Sequence, residues 1–177
     1  MKVIVPLIVS LVAGWLASAP QEALRPSAEH ALIQKYAGQW EAVIIGHDPS
    51  GKETRTKATL VREKIGDYHT ADRFEGEFMG MKFQGRGMNG YCAVKKEYFT
   101  LWTDSMSPSP LVLNGRYDEK TRELKMTGQC YGMSGKLEPC RAVTRFVDDD
   151  HFSFTLYGAG PDGKETQHLS VEYARKR

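Results

Sequence analysis

Gly90-Tyr91-Cys92-Ala93-Val94-Lys95-Lys96-Glu97-Tyr98-Phe99-Thr100-Leu101-Trp102-Thr103-Asp104-Ser105-Met106-Ser107-Pro108-Ser109 is the stretch from which the fold is read. Lys96 to Asp104 is rich in aromatic and β-branched residues, and Pro108 and Pro110 close it, so it reads as a strand. Alternation sets Tyr98, Thr100, Trp102 and Asp104 on one face and Phe99, Leu101 and Thr103 on the other. Both faces are substantially apolar, which predicts a strand covered on both sides. If the Tyr98 face turns inward, Tyr98, Trp102 and Asp104 form the polar anchor of a ligand site. If Phe99 and Leu101 turn inward, a helix or a second subunit must cover the Tyr98 face, and a homodimer is compatible with this chain.

The pattern extends in both directions. Upstream, the expected strands are Trp40 to Gly46, Glu53 to Ile65, Tyr68 to Met79 and Met81 to Met88, separated by turns at Asp48-Pro49-Ser50-Gly51, Gly66-Asp67 and Gly80. Downstream they are Leu111 to Tyr117, Glu123 to Cys130, Leu137 to Val147, His151 to Tyr157 and Glu165 to Arg175. Phe74, Gly76 and Phe78 share a face, as do Phe83, Gly85 and Gly87. Glycines clustered in adjacent strands imply bends or close approach, here a sheet that curls hard. Ahead of the strands, Ser27 can cap a helix that Gly38 ends, with Glu29 in its first turn and Ala28, Leu32 and Tyr36 on one stripe. A meander of about ten strands removes its exposed edges most simply by closing on itself. The expected architecture is a mainly β, up-and-down antiparallel barrel, lipocalin-like, with one short N-terminal helix.

A chain of 177 residues can hold one domain with a sizeable core. The net charge is +2 and the basic residues are spread along the strands, which argues against a nucleic-acid partner. Lys2 precedes an apolar run from Val3 to Leu16 and then Ala17-Ser18-Ala19, the order of a secretory signal peptide. The run is short for a membrane span, which needs about 20 residues. Pro20 hinders cleavage at the best site, so an uncleaved anchor is the alternative, and only then would the mature domain sit at a membrane. Residues 1–19 are therefore assigned to export to the periplasm or medium, 20–26 to a connector and 27–177 to a single barrel domain. Of three cysteines, Cys130 and Cys140 bracket a loop between expected neighbouring strands and are the natural disulfide pair, leaving Cys92 free.

Gly38-Gln39-Trp40 opens the first strand directly after the helix, and Arg175 lies near the end of the last. In lipocalin-like (calycin) barrels a Gly-x-Trp at this place closes the base, its indole packed against an Arg of the final strand. A guanidinium on an aromatic face is worth about 0.5–2 kcal/mol. A wider set of spaced residues carries a closer resemblance. It comprises Gly38-x-Trp40, Gly80-Met81-x-Phe83-x-Gly85, Gly90-Tyr91, Tyr98-x-x-x-Trp102-x-Asp104-Ser105-Met106 and Gly115-x-Tyr117-Asp118. It continues through Arg141, Gly160-Pro161-Asp162-Gly163-Lys164-Glu165 and Tyr173-x-Arg175. From about Ser27 onward the chain resembles the bacterial family catalogued as domain of unknown function 1579. That resemblance implies a lipocalin-like barrel and no established activity. The chain departs from the family at Cys92, where a polar residue is expected, and in the Cys130/Cys140 pair.

A buried Asp104 would need a cation or several donors. Arg116, Arg141 and Arg145 are the candidates from later strands. Alternatively, Asp104 and Ser105 end the strand and bond their own turn before Pro108. The histidines (His30, His47, His69, His151, His168) show no paired metal spacing and read as surface residues, with no metal site expected. Ten-strand barrels that resemble nitrobindin hold haem through a His near the C-terminus. His168 falls opposite the apolar face of Leu169, Val171 and Tyr173, so no cofactor is expected, with haem the alternative. Gly132-Met133-Ser134-Gly135 lacks the final Gly of a nucleophile elbow, and Asp148-Asp149-Asp150 reads as a hairpin tip. The sequence thus leads to a barrel binding a small, partly apolar ligand through Tyr98, Trp102, Asp104, Arg116 and Arg145, with Trp40 and Arg175 closing the barrel. An enzyme using Asp104 and an interior Arg, or a filled structural barrel, are the alternatives.

Overall fold

The computed structural model of the protein describes residues 25–47, 52–132, 134–160 and 162–177. The expected export segment and most of the connector lie outside these residues. Among the described residues, no helix is long and apolar enough to cross a membrane.

Helix α1 (Ala28–Lys35) follows Ser27, as expected, but its buried stripe differs. His30, Ile33 and Tyr36 turn inward and Ala28 is exposed, so the stripe steps by three residues rather than four. His30 was expected at the surface. It is 4% exposed, set edge-on to Tyr68 and Tyr91, and its Nδ1 accepts a hydrogen bond from the Ser27 backbone N–H at 3.1 Å.

Ten strands follow: β1 (Gly38–His47), β2 (Glu53–Ile65), β3 (His69–Phe78), β4 (Met81–Cys92), β5 (Glu97–Asp104), β6 (Leu111–Asp118), β7 (Glu123–Tyr131), β8 (Leu137–Phe146), β9 (His151–Ala159) and β10 (Glu165–Arg175). Each pairs antiparallel with its chain neighbour, and β10 returns to β1, so the sheet is a closed barrel with no free edge. The expected strand at Met81 runs past Met88 to Cys92, which carries the Gly90–Tyr91 segment into β4. Alternation sends Trp40, Ala42 and Ile44 of β1, Ala58 and Leu60 of β2, and Phe74 of β3 to the interior. Burying an aliphatic or Phe side chain of this kind contributes about 1.5–3 kcal/mol.

The two ends of the barrel differ. At one end α1 and the β8–β9 turn form a plug. Trp40 is 1% exposed, and the Arg175 guanidinium carbon stands 4.2 Å from its ring centroid, directly across the closing register. Arg175 also donates to the carbonyls of Ala37 at 3.0 Å and Asp149 at 2.8 Å, and to the Asp150 carboxylate at 3.0 Å. One residue therefore ties helix exit, first strand and β8–β9 turn together. Gly38 has φ +139°, and a side chain there would strike the Arg175 guanidinium, so both backbone and space require glycine. Asp148-Asp149-Asp150 is more than a solvated tip, because Lys35 and Arg175 both fasten to it.

Candidate functional site

The opposite end leads into a cavity of about 280 Å³. Its wall is mainly apolar and includes Phe74, Leu113, Met126, Phe154 and Leu156, contributed by the inward positions of four strands. Met106, Ser107 and Ser109 of the β5–β6 loop also line it, which places the mouth at that end. Exposed Met79, Met81, Met106, Tyr131 and Leu137 stand at or beside the β3–β4, β5–β6 and β7–β8 hairpins of the same end. The interior is thus neither packed solid nor closed off.

Across one side of the cavity runs a polar line. Arg62 on β2 forms a two-pronged ion pair with Asp72 on β3, with Nε and Nη2 each 2.7 Å from a carboxylate oxygen. Asn89 on β4 donates to Asp72 at 3.0 Å and accepts from the Thr100 hydroxyl on β5 at 2.8 Å. The pair is largely removed from water, with side chains 14% and 7% exposed. Burial alone would make the Arg62 guanidinium less basic, but the charge and hydrogen bonds of Asp72 outweigh it and hold Arg62 above its ordinary value. Tyr173 of β10 also lines the cavity, and burial pushes its phenol well above the usual range. It is therefore a neutral O–H at physiological pH.

Trp102 and Asp104 sit nearer the mouth. The Trp102 indole N–H donates to Asp104 Oδ2 at 2.9 Å, while Oδ1 accepts from the backbone N–H groups of Met106 and Ser107, both at 2.9 Å. Asp104 thus closes the turn before Pro108, as the second of the two readings has it, and it also lines the cavity. The indole lies against β4, over Gly85 and Gly87; a side chain at Gly85 would displace it, and one at Gly87 would crowd it.

The Tyr98 face is the inward one. Tyr98 itself is 4% exposed and packs on Tyr91 below the cavity, so it supports the floor without lining the cavity. The arginines expected to balance Asp104 are elsewhere. Arg116, Arg141 and Arg145 occupy outward positions of β6 and β8, because alternation gives the inward ones to Leu113 and to Cys140, Ala142 and Phe146. Arg116 reaches Glu97 at 3.8 Å, Arg145 holds Glu123 at 2.6 Å, and Arg141 holds Glu165 at 2.7 Å while stacking on Tyr157. Arg116 and Arg145 are therefore withdrawn as site residues.

The interior arginine is Arg62, with Asp72 beside it, and the sequence did carry its signal. Arg62 shares the face of Ala58 and Leu60, and Asp72 shares that of Phe74 and Phe78. Opposite charges on the apolar faces of consecutive strands mark a buried pair.

The expected disulfide is not formed: Cys130 and Cys140 are both free thiols. Cys130 stands opposite Glu138 and Cys140 opposite Gly128, so the cysteines are diagonal neighbours. Diagonal positions lie farther apart than directly opposed ones, yet the two thiols still come within hydrogen-bonding reach of each other. Burial and a hydrogen bond to Cys130 push the Cys140 thiol up to about 12. His168 lies at a register shift in β10 with its ring over Gly158 and Nε2 3.2 Å from the Ala159 carbonyl, and it is not part of the cavity wall. Among the described residues, no cluster of His, Cys, Asp and Glu has the makings of a metal site.

The family described as "Protein of unknown function (DUF1579)" matches residues 25–175. No curated protein matches the chain by sequence. Among solved structures, Rv2717c from M. tuberculosis is similar over 86% of this chain and 100% of its own, with 14% identity and a TM-score of 0.65. The S-type phycobiliprotein lyase CPES from Guillardia theta is similar over 83% of this chain and 92% of its own, with 9% identity and a TM-score of 0.54. At these identities the likeness is one of fold.

Proposed function

Since this chain belongs to the DUF1579 family, a family defined without a function, we propose from the barrel itself that the protein is an exported binder of a small, partly apolar molecule. The observation that carries this reading is the cavity of about 280 Å³, apolar-walled and open at the end away from the helix. It lies just below the roughly 300–1,000 Å³ usual for ligand pockets, room for a small molecule. A barrel that only needed stability would gain from filling such a void, since empty space of this kind costs free energy. Export is supported by Lys2, the apolar run to Leu16 and the small residues after it. Trp102 would contact the ligand at the mouth, and Asp104 would hold the indole in place.

The enzyme alternative has less support. Both Asp104 oxygens are already engaged by donors of the protein, and the interior arginine is paired with Asp72 instead.

The test is to purify the protein natively from its own exported fraction and identify co-purifying small molecules by mass spectrometry. A stoichiometric small molecule, lost when the cavity is filled by Leu113→Trp in a protein that still folds, is the expected result. A cytoplasmic protein retaining Met1 would defeat the export reading. Absence of any bound molecule, together with no binding of apolar probes, would defeat the binding reading.

A further inference from the structure

The groups left over on the cavity's polar side identify the kind of ligand it takes. Arg62 uses Nε and Nη2 on Asp72, and Nη1 has no hydrogen-bond partner among the described residues. The Tyr173 hydroxyl likewise has none, nor has the Thr144 hydroxyl, and both residues line the cavity with Arg62. The acceptors, by contrast, are occupied. Asp72 takes both arms of Arg62 and Asn89, and Asn89 Oδ1 takes Thr100. The cavity therefore presents hydrogen-bond donors to a ligand and keeps its strong acceptors to itself.

Charge narrows the choice further. Arg62 and Asp72 form a neutral pair in a mostly apolar chamber. A ligand carboxylate would leave this site with one uncompensated negative charge beside Asp72. An ammonium here would face the Arg62 guanidinium, with Asp72 already paired and Asp104 away at the mouth, both its oxygens engaged by N–H groups of the protein. Either charge would be buried without a partner, which is costly. A neutral carbonyl can accept from Arg62 Nη1 and the Tyr173 hydroxyl with no net charge moved out of water. Building on the cavity-binding reading, we infer that the ligand is an uncharged apolar molecule carrying a carbonyl-type acceptor, which is read by Arg62 and Tyr173, with Asp72, Asn89 and Thr100 holding Arg62 in place.

Three probes of one skeleton test this in the full mature protein by isothermal titration calorimetry: ethylnaphthalene, acetylnaphthalene and naphthoate. They differ in offering no acceptor, a neutral acceptor and an anion. The expected order is acetylnaphthalene tightest, by about threefold to tenfold over ethylnaphthalene for one or two net hydrogen bonds. Tyr173→Phe keeps the ring and should remove most of that preference. Should Arg62→Met fail to fold because it strands Asp72, the double variant Arg62→Met/Asp72→Leu removes both charges together and should abolish the preference. If ethylnaphthalene and acetylnaphthalene bind equally, or naphthoate binds tightest, the donor reading is overturned while cavity binding stands. If no probe binds, cavity binding fails and this inference goes with it.

Discussion

Gly85 on β4 and Trp102 on β5 occupy what is in effect one residue's space: the indole lies where a Gly85 side chain would stand. This contact sets the mouth of the cavity, because it lays Trp102 against the wall with its N–H turned to Asp104. Backbone and ring are both poorly able to yield. Gly85→Ala should therefore destabilise by about 1–3 kcal/mol, the usual cost of overpacking. Trp102→Leu should relieve part of that loss, so a double-mutant cycle by urea denaturation should show favourable coupling. Additive effects would mean that the indole does not need Gly85.

Trp40 and Arg175 make the second testable contact. Trp40→Ala removes a side chain that is 1% exposed and should cost about 3–5 kcal/mol. Arg175→Lys keeps the charge but loses the planar fork that reaches Ala37, Lys35, Asp149 and Asp150 at once. It should lower the melting temperature more than Arg55→Lys, whose guanidinium spans the exposed Glu53 and Glu172. Equal losses would show that Arg175 is an ordinary surface cation.

Strand alternation and turn residues made the barrel legible, since both are local and each strand's apolar face repeats every second residue. The grouping of Tyr98, Thr100, Trp102 and Asp104 on one face of β5 was readable for the same reason, but which face turns inward was not, because both are substantially apolar. The partners of Asp104 were not, because charge pairing depends on which strands lie side by side and which way each residue faces. Arg116 and Arg145 are near in sequence to plausible sites, yet one step of parity puts them outside. Gly85 and Gly87 read as signs of curvature, whereas their further use is to admit an indole from the next strand. Cys130 and Cys140 were legible as neighbours on one hairpin, but hairpin membership does not by itself make two residues directly opposed, and here they are diagonal free thiols.

Thiol chemistry checks that the three cysteines are free. Cys92 is half-buried and Cys130 and Cys140 are buried, with Cys140 pushed up to about 12 and so protonated at neutral pH. In the folded protein one thiol should react with maleimide and the other two should stay protected until denaturant is added. The intact mass should fit fully reduced cysteines. A protein isolated with Cys130 and Cys140 joined would overturn the free-thiol assignment.

Acid sensitivity follows from the outer ion pairs. Arg145 and Lys125 hold the Glu123 carboxyl below its ordinary value of 4.5, and Arg141 does the same for Glu165. The folded state thus binds its protons at lower pH than the unfolded chain. Stability from these groups is complete above about 4.5 and is lost as pH falls through the lowered values. Denaturation midpoints should be flat near neutrality and drop below that point, and Arg145→Gln should flatten the drop. An unchanged acid profile in that variant would remove the Arg145–Glu123 pair from the account.

Asp104→Asn separates the two uses of the carboxylate. An asparagine can keep its carbonyl oxygen on the Met106 and Ser107 N–H groups, but its amide N–H then faces the Trp102 N–H, donor against donor. Trp102 would lose its partner and shift from its seat on Gly85. A hydrogen bond to a charged group is worth about 1.5–3 kcal/mol, so a fall in stability of that order is expected, with a change in tryptophan emission. The loss should shrink in a Trp102→Phe background, where there is no indole N–H to strand. Affinity for acetylnaphthalene should fall less than in Tyr173→Phe, since the carboxylate holds the mouth and does not reach out to the ligand. Strong loss of affinity with melting unchanged would instead make Asp104 a group that touches the ligand, and would move the polar anchor from Arg62 and Tyr173 to the mouth.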